Sequence, residues 1–534
     1  MKRFWVLFLS FLLFLPVTLK AASKPSTEEL LKRIEELSKE LESLKKQLAE
    51  VKEAQEEQGE AQEEVSEFVE NVKNNMGKFQ IWGDIRTRMD STRLYVPHYK
   101  IMVPTPQGPM LMGQGGDHRE NDTIYTNRMR LNLKVKPTED TVVKMRLAYY
   151  KIWGMTNDYV TPGLFLGMGM QNNFTYGVRP SDNTLYVDRA YFNWSNIADL
   201  PIWISFGRRP TTHGAPRQIR EGLDKKRDAT PSGINFDVPF DGATIGFQYS
   251  WPWTGRIRIC YGRGFESGFK MPIDRAKDDV DFYGFAWDVI DEDNKLLIVQ
   301  AFKAEGVMDF PDGKLYTFNP QMNQWMEFYT TTKTNLGDIY EIGMTWQHKI
   351  DLPFWNLEDV DYFISAGISI TDPDKFSSAM KAQGLYVSLL SGPLFRPDED
   401  ALDTKTGWAI WLGTRIPVPQ LRGKIGFEYN YGSKWWMPFV MATDDPYIDK
   451  IATRGHVVET YWIWDLPVGE ALNEYAKAFL RVGFQYYWFN YTGSGSWLGK
   501  PMQIRSELDE QPFQMFSAPV DHMSNFYLSL ELFF

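Results

Sequence analysis

From Phe79 onward, apolar and polar residues alternate one for one in short segments, and after the N-terminal leader no run of about 18 apolar residues occurs. Period-two alternation gives a strand one apolar and one polar face, and the missing long run excludes membrane-spanning helices. Ile81, Ile85 and Met89 alternate with Asp84, Arg86, Arg88 and Asp90; Met129, Leu131, Leu133 and Val135 alternate with Arg128, Arg130, Asn132 and Lys134. The longest such segment runs from Ala476 to Trp488. The chain is 15% aromatic, yet its mean hydropathy lies on the polar side of zero. A membrane β-barrel, with lipid on one strand face and water on the other, produces this combination.

Tight turns at 137–140, 196–201, 251–255, 291–294, 351–353 and 417–423 alternate with much longer connections. Eight long loops and seven short turns predict an all-β transmembrane barrel of about sixteen antiparallel strands. Trp251, Trp253 and Trp355 fall at short turns, where an interfacial aromatic girdle belongs, and Trp435 and Trp436 are placed in the opposite girdle. The last segment alternates Phe526, Leu528, Leu530, Leu532 and Phe534 with Asn525, Ser529 and Glu531, and is assigned as the strand that closes the barrel.

Ahead of the barrel the periodicity differs. Lys2 and Arg3, an apolar run over 4–15, Pro16 and the small pair Ala21 and Ala22 form a secretory signal peptide over 1–22. Ile34, Leu37, Leu41, Leu44, Leu48 and Val51 then step by three and four, and the frame continues through Gln55, Gln58 and Gln62 to Val65, Val69, Val72 and Met76. This heptad seam predicts a coiled-coil stalk over 23–77, about 70 Å long if continuous. Val at d positions disfavours a two-stranded packing, so three strands are expected. Glu28 to Glu70 holds 15 Glu against six Lys and Arg, a solvated acidic surface. The barrel occupies 78–534, which places the protein in the outer membrane with its coiled coil in the periplasm.

The closing segment resembles the C-terminal recognition strand of Gram-negative outer-membrane proteins, which implies the barrel-assembly machinery as a folding partner. The whole chain resembles trimeric porins with an N-terminal coiled coil, such as the phosphate-selective porins. It is more similar still to an outer-membrane porin family of unknown function, through Leu185-Tyr186-Val187-Asp188-Arg189-Ala190-Tyr191-Phe192-Asn193-Trp194 and Phe206-Gly207-Arg208-Arg209-Pro210-Thr211-Thr212-His213-Gly214. That resemblance implies a homotrimer in outer-membrane lipid and a constriction loop over Pro210 to Gly233. The loop is locally basic, with Arg217, Arg220, Lys225, Lys226 and Arg227 against Glu221, Asp224 and Asp228.

The sequence holds no haem-attachment motif, P-loop or His-Glu-x-x-His, and its histidines are scattered, so it is read as a non-enzyme without cofactor, metal or nucleic-acid partner. Cys260, the only cysteine, excludes an intrachain disulfide. The inward-parity cations Arg86, Arg88, Arg128, Arg130, Arg146, Arg189 and Arg208, with Arg217, Arg220 and Lys225 of the loop, are the candidates for lining an anion path; the competing expectation is salt-bridged lumen filler. The leading function is passive diffusion of small hydrophilic solutes with anion preference. Two alternatives stand beside it: an outer-membrane anchor whose stalk tethers the membrane to peptidoglycan, and a barrel sheathing a partner such as an electron-transfer cytochrome. The seam carries its own test. Cross-linking in mild detergent should capture a trimer, and the double substitution Leu41→Asp, Leu48→Asp should reduce its yield; equal yields would remove the stalk from assembly.

Overall fold

The structure is a computed structural model. It describes residues 78–534 apart from 106–107, 155–176, 225–228, 268–278, 310–313, 320–323, 330–333, 383, 442–443, 446, 469–475 and 516. The chain divides into two compact units, Met1–Gly77 and Lys78–Phe534. In the first, the described residues are Lys32, Glu35, Glu36, Ser38, Lys39, Leu41, Glu42, Ser43, Lys45 and Lys46, all helical and exposed. The signal peptide and the seam residues Ile34, Leu37, Leu44, Leu48 and Val51 lie outside the described residues.

The second unit is a closed antiparallel barrel of sixteen strands. They are β1 (Phe79–Val96), β2 (Asp117–Val135), β3 (Thr141–Ile152), β4 (Tyr186–Trp194), β5 (Ile202–Arg208), β6 (Asp241–Tyr249), β7 (Gly255–Phe265) and β8 (Val280–Asp291). Then follow β9 (Lys295–Met308), β10 (Asn335–Leu352), β11 (Leu357–Pro373), β12 (Lys405–Val418), β13 (Gly423–Gly432), β14 (Gly455–Asp465), β15 (Lys477–Phe489) and β16 (His522–Phe533). Each pairs with its sequence neighbour, and β16 returns to β1 with Asp84 opposite Phe533. Beyond that pair the Gly83 amide donates to the Phe534 carbonyl at 2.7 Å and the Phe534 amide to the Gly83 carbonyl at 3.0 Å. Closure satisfies the edge groups that hydrocarbon could not.

The alternation sorts side chains as its period requires. Ile81, Ile85, Phe206, Ile245, Ile259, Phe526, Leu530 and Leu532 are exposed on the outer face, while Asp84, Arg86, Arg88, Asn525, Ser529 and Glu531 are buried inside. Trp251, Trp253 and Trp355 at the short turns are exposed, as is Phe354. At the other rim one lateral row crosses six strands in register: His118, Tyr95, His522, Trp488, His456 and Tyr431. Within this row Tyr95 stacks on His522 with ring centroids 5.6 Å apart, and Tyr95 meets His118 and Tyr431 meets His456 in tilted contacts at 4.8 Å. These amphipathic rings suit the headgroup level of a bilayer.

Trp435 and Trp436 depart from expectation. Trp436 is fully buried inside the barrel, its indole N–H donating to the Ile451 carbonyl at 2.7 Å. The loop that carries this pair turns into the lumen instead of standing at the rim. Deleting Phe534 removes the last carbonyl–amide exchange with Gly83, so the variant should assemble poorly and lose the heat-dependent gel shift of a closed barrel; an unchanged shift at wild-type membrane levels would show that closure does not need it.

Candidate functional site: the lumen

Three long loops fill much of the interior: L3 (209–240), L7 (433–454) and L8 (490–521). L3 closes on itself, with the Thr230 amide donating to the Pro210 carbonyl and the Gly233 amide to that of Ala215. It meets L7 in a short parallel pairing of Phe236 and Asp237 with Phe439 and Val440. Ile219 and Ile234 of L3, Trp436, Ile448 and Ile451 of L7, and Met502, Ile504 and Leu508 of L8 pack together against the wall residues Trp411 and Tyr487. A second cluster joins Phe439 to Phe282 on the wall. Loops enter because these apolar side chains find partners there. The wall is shaped to receive them: Gly343 and Gly367 lie opposite each other on β10 and β11, and a Cβ on either would collide with Asn235, or at Gly367 also with Ile234 and Trp436.

Charge is paired across the same interface. Arg86 donates to Asp444 of L7 at 2.8 Å and to the Tyr150 hydroxyl at 2.8 Å. Arg128 reaches Asp84 and Asp444, both at 3.3 Å, and Arg130 reaches Asp84 at 2.8 Å. Arg88 pairs with Asp90 at 2.6 Å, Arg146 with Asp188, and Arg189 donates to the Thr212 carbonyl at 2.6 Å. In L3, Arg217 pairs with Asp449 at 2.9 Å and Asp237 at 3.4 Å, while Arg220 holds Asp445 and lies 2.9 Å from Glu459. Lys450 of L7 binds Glu428 and Glu459. Asp445 and Asp449 of L7 thus offset the arginines of L3, and Asp444 offsets Arg86 and Arg128 of the wall.

Of the sequence-predicted cations, Arg86, Arg88, Arg128, Arg130, Arg146, Arg189, Arg217 and Arg220 are brought together inside the barrel. Arg208 is not. It shares the outward parity of Ile204 and Phe206 and pairs with Asp241, which is 64% exposed; the inward cation is the next residue, Arg209. The error was one of phase, because a one-residue step along a strand changes the face. Lys225 lies outside the described residues.

Sequence reading missed Asp444, Asp445, Asp449 and Lys450. The available signal was the apolar stretch Trp435-Trp436-Met437-Pro438-Phe439-Val440-Met441, too apolar for a solvated loop. It also missed Arg179, which is buried, has no carboxylate partner among the described residues, and is pushed by burial down to about 10.

His213, Glu221 and Asp444 place their ligand atoms within 4.8 Å of one another. They do not suit a dication, since Asp444 is already held by Arg86 and Arg128 and Arg130 lies close enough to oppose a positive charge on His213. Burial drives the His213 imidazole down to about 3, overcoming the pull of Glu221, and lifts Asp237 to about 6 against the pull of Arg217.

The profile of the family described as "Protein of unknown function (DUF3373)" matches residues 118–534. The chain belongs to that family. No curated protein matches it. Among solved structures, OprB of Pseudomonas putida is 10% identical, covers 86% of this chain and 96% of its own, and gives a TM-score of 0.42. The anion-selective porin from Comamonas acidovorans is 8% identical over 85% of this chain and 99% of its own, with a TM-score of 0.40. The outer membrane channel DcaP of Acinetobacter baumannii is 9% identical over 85% and 97%, with a TM-score of 0.37. The topology of this DUF3373 member, a closed barrel with an apolar outer face, is that of an outer-membrane protein.

Two outcomes follow for the loops. Asp444→Asn removes the carboxylate shared by two buried guanidiniums, a change of about 3–5 kcal/mol; L7 should then open to trypsin at Lys450, which is 1% exposed in the docked loop. Continued protection would show that apolar packing alone holds L7. The pH response has a defined sign. His213 is neutral when docked but takes a proton near its ordinary 6.5 when free, so docking weakens as pH falls from 6.5 towards 3; Asp237, held at about 6 against 3.8, strengthens docking as pH falls from 6 to 3.8. His213→Gln removes the first contribution, and hydrogen exchange of L3 amides should then slow, relative to wild type, on going from about pH 7 to pH 5.

Proposed function

We propose that the protein is an outer-membrane channel for small hydrophilic solutes that prefers anions, its lumen narrowed by L3. The observation that carries this reading is the inner wall over β1–β4. Arg86, Arg88, Arg128, Arg130, Arg146 and Arg189 are buried there, with Arg179 from the loop between β3 and β4, against Asp84, Asp90 and Asp188 with Asp444 from L7. Seven cations facing four carboxylates leave a positive wall in a poorly screened space, which attracts anions and repels cations. The chain's net charge of −11 is no objection, since the acidic stalk segment alone contributes about −9.

L3 itself supplies less positive charge than its composition implies, because Arg217 and Arg220 are tied to acids of L7 and the wall. Selectivity should therefore respond to Arg179, not to those two. The packed lumen also favours a second reading, an anchor with little pore activity; it argues against a cytochrome sheath, which would need that space.

Reversal potentials across planar bilayers in a salt gradient separate these. The wild type should favour chloride over potassium, and Arg179→Gln should lower the ratio by about two- to fivefold without changing the gel shift. Cation preference in the wild type would overturn the selectivity, and absence of any conductance would leave the anchor.

A further inference from the structure

Below L3, on the side of the short turns, a cavity of about 670 Å³ opens between the loop and residues of β3, β4, β5, β7, β8 and β10. Lys144, Tyr191, Trp203, Arg209, Arg256 and Arg258 line it. Its volume falls in the range of sites that take organic solutes of moderate size.

Its lining holds five cations, Lys144, Arg209, Arg256, Arg258 and Lys349, against the three carboxylates Asp224, Asp291 and Asp293. Arg209 is 5% exposed; its guanidinium lies 5.2 Å from the Tyr191 ring centroid and donates to the Ser205 hydroxyl, and no carboxylate pairs with it among the described residues. Arg258, 3% exposed, donates to Asp288 at 2.6 Å but leaves its Nε without an acceptor. Arg256 draws on the same Asp288 at 2.5 Å, so one carboxylate serves two guanidiniums, with Asp291 3.5 Å from Arg256. Asp224, at the cavity's edge, is committed to Arg415, Lys424 and Lys477. Burial lowers the affinity of Arg209 for its proton, and the neighbouring charge of Arg258 adds to that effect. An unsatisfied buried donor is costly, and guanidinium is the group best matched to the paired oxygens of carboxylate or phosphate. Trp203 presents an apolar surface beside these donors.

The geometry points to a binding subsite for a small organic oxyanion at the turn-side mouth of the lumen, its phosphate or carboxylate held by Arg209 and Arg258 with Lys144 in support, and its body laid on Trp203. This assignment rests on the channel reading, since solute reaches the cavity through the barrel mouth. It adds to that reading a solute class and a place where the solute pauses.

Isothermal calorimetry on the full chain in detergent micelles tests it, with inorganic phosphate and phenyl phosphate as the probes. Both should bind, phenyl phosphate at least about tenfold more tightly; Arg209→Gln should weaken both by about tenfold or more, and Trp203→Leu should remove only the phenyl advantage. Lys144→Gln lies on the cavity surface and leaves the Arg258–Asp288 pair intact, so it provides a folded variant, checked by gel shift, that should weaken both probes about threefold or more. No heat from either probe with folded wild type, or unchanged affinity in folded Arg209→Gln and Lys144→Gln, overturns the site. The two readings fail separately: conductance without phosphate binding removes the subsite and leaves the channel, whereas arginine-dependent binding without conductance sustains the subsite and removes the channel.

Discussion

Everything else in this barrel depends on one constraint: a backbone in hydrocarbon must pair every amide and carbonyl with itself. Sixteen strands meet it because β16 folds back on β1, down to the reciprocal bonds between Gly83 and Phe534. Closure of that size leaves an interior wider than wall side chains can fill. The loops inherit the problem of what occupies it.

The answer here is a second core inside the first. L3, L7 and L8 carry apolar residues that would be unusual in solvated loops, and they bury them against inward-facing wall residues such as Trp411 and Phe282. Those wall aromatics break the simple rule that a lumen face is polar. Burial of the loops takes charges with them, and the ion pairs of Asp444, Asp445 and Asp449 with Arg86, Arg220 and Arg217 keep that from being prohibitive. Apolar packing supplies the drive, and the charge pairs fix which loop sits against which strand. Among the described residues, buried cations unmatched by carboxylates remain at the β1–β4 wall with Arg179, in the turn-side cavity with Arg209, and at Arg454 of L7, which donates only to carbonyls.

The candidate site was partly legible for a definite reason. Parity within a strand reports which face a residue takes, so Arg86, Arg128 and Arg146 could be placed inside from sequence. The same rule misplaced Arg208, where the outward set Ile204 and Phe206 should have set the phase. Parity is silent on partners. Arg217 and Arg220 have acids nearby in sequence, Glu221 and Asp224, yet their principal partners are Asp449 and Asp445, more than two hundred residues away.

The sequence by itself determined that the chain forms strands with one face for lipid, about how many, where the tight turns fall, and which segment closes the ring, because these follow from period-two alternation and local turn chemistry. Only the tertiary structure decided what the lumen contains. Loop entry depends on the match between distant surfaces, Asn235 and Trp436 against the groove at Gly343 and Gly367, and Asp444 between Arg86 and Arg128. No local pattern encodes such a match, since its energy resides in contacts between segments that the chain brings together only when the barrel is closed.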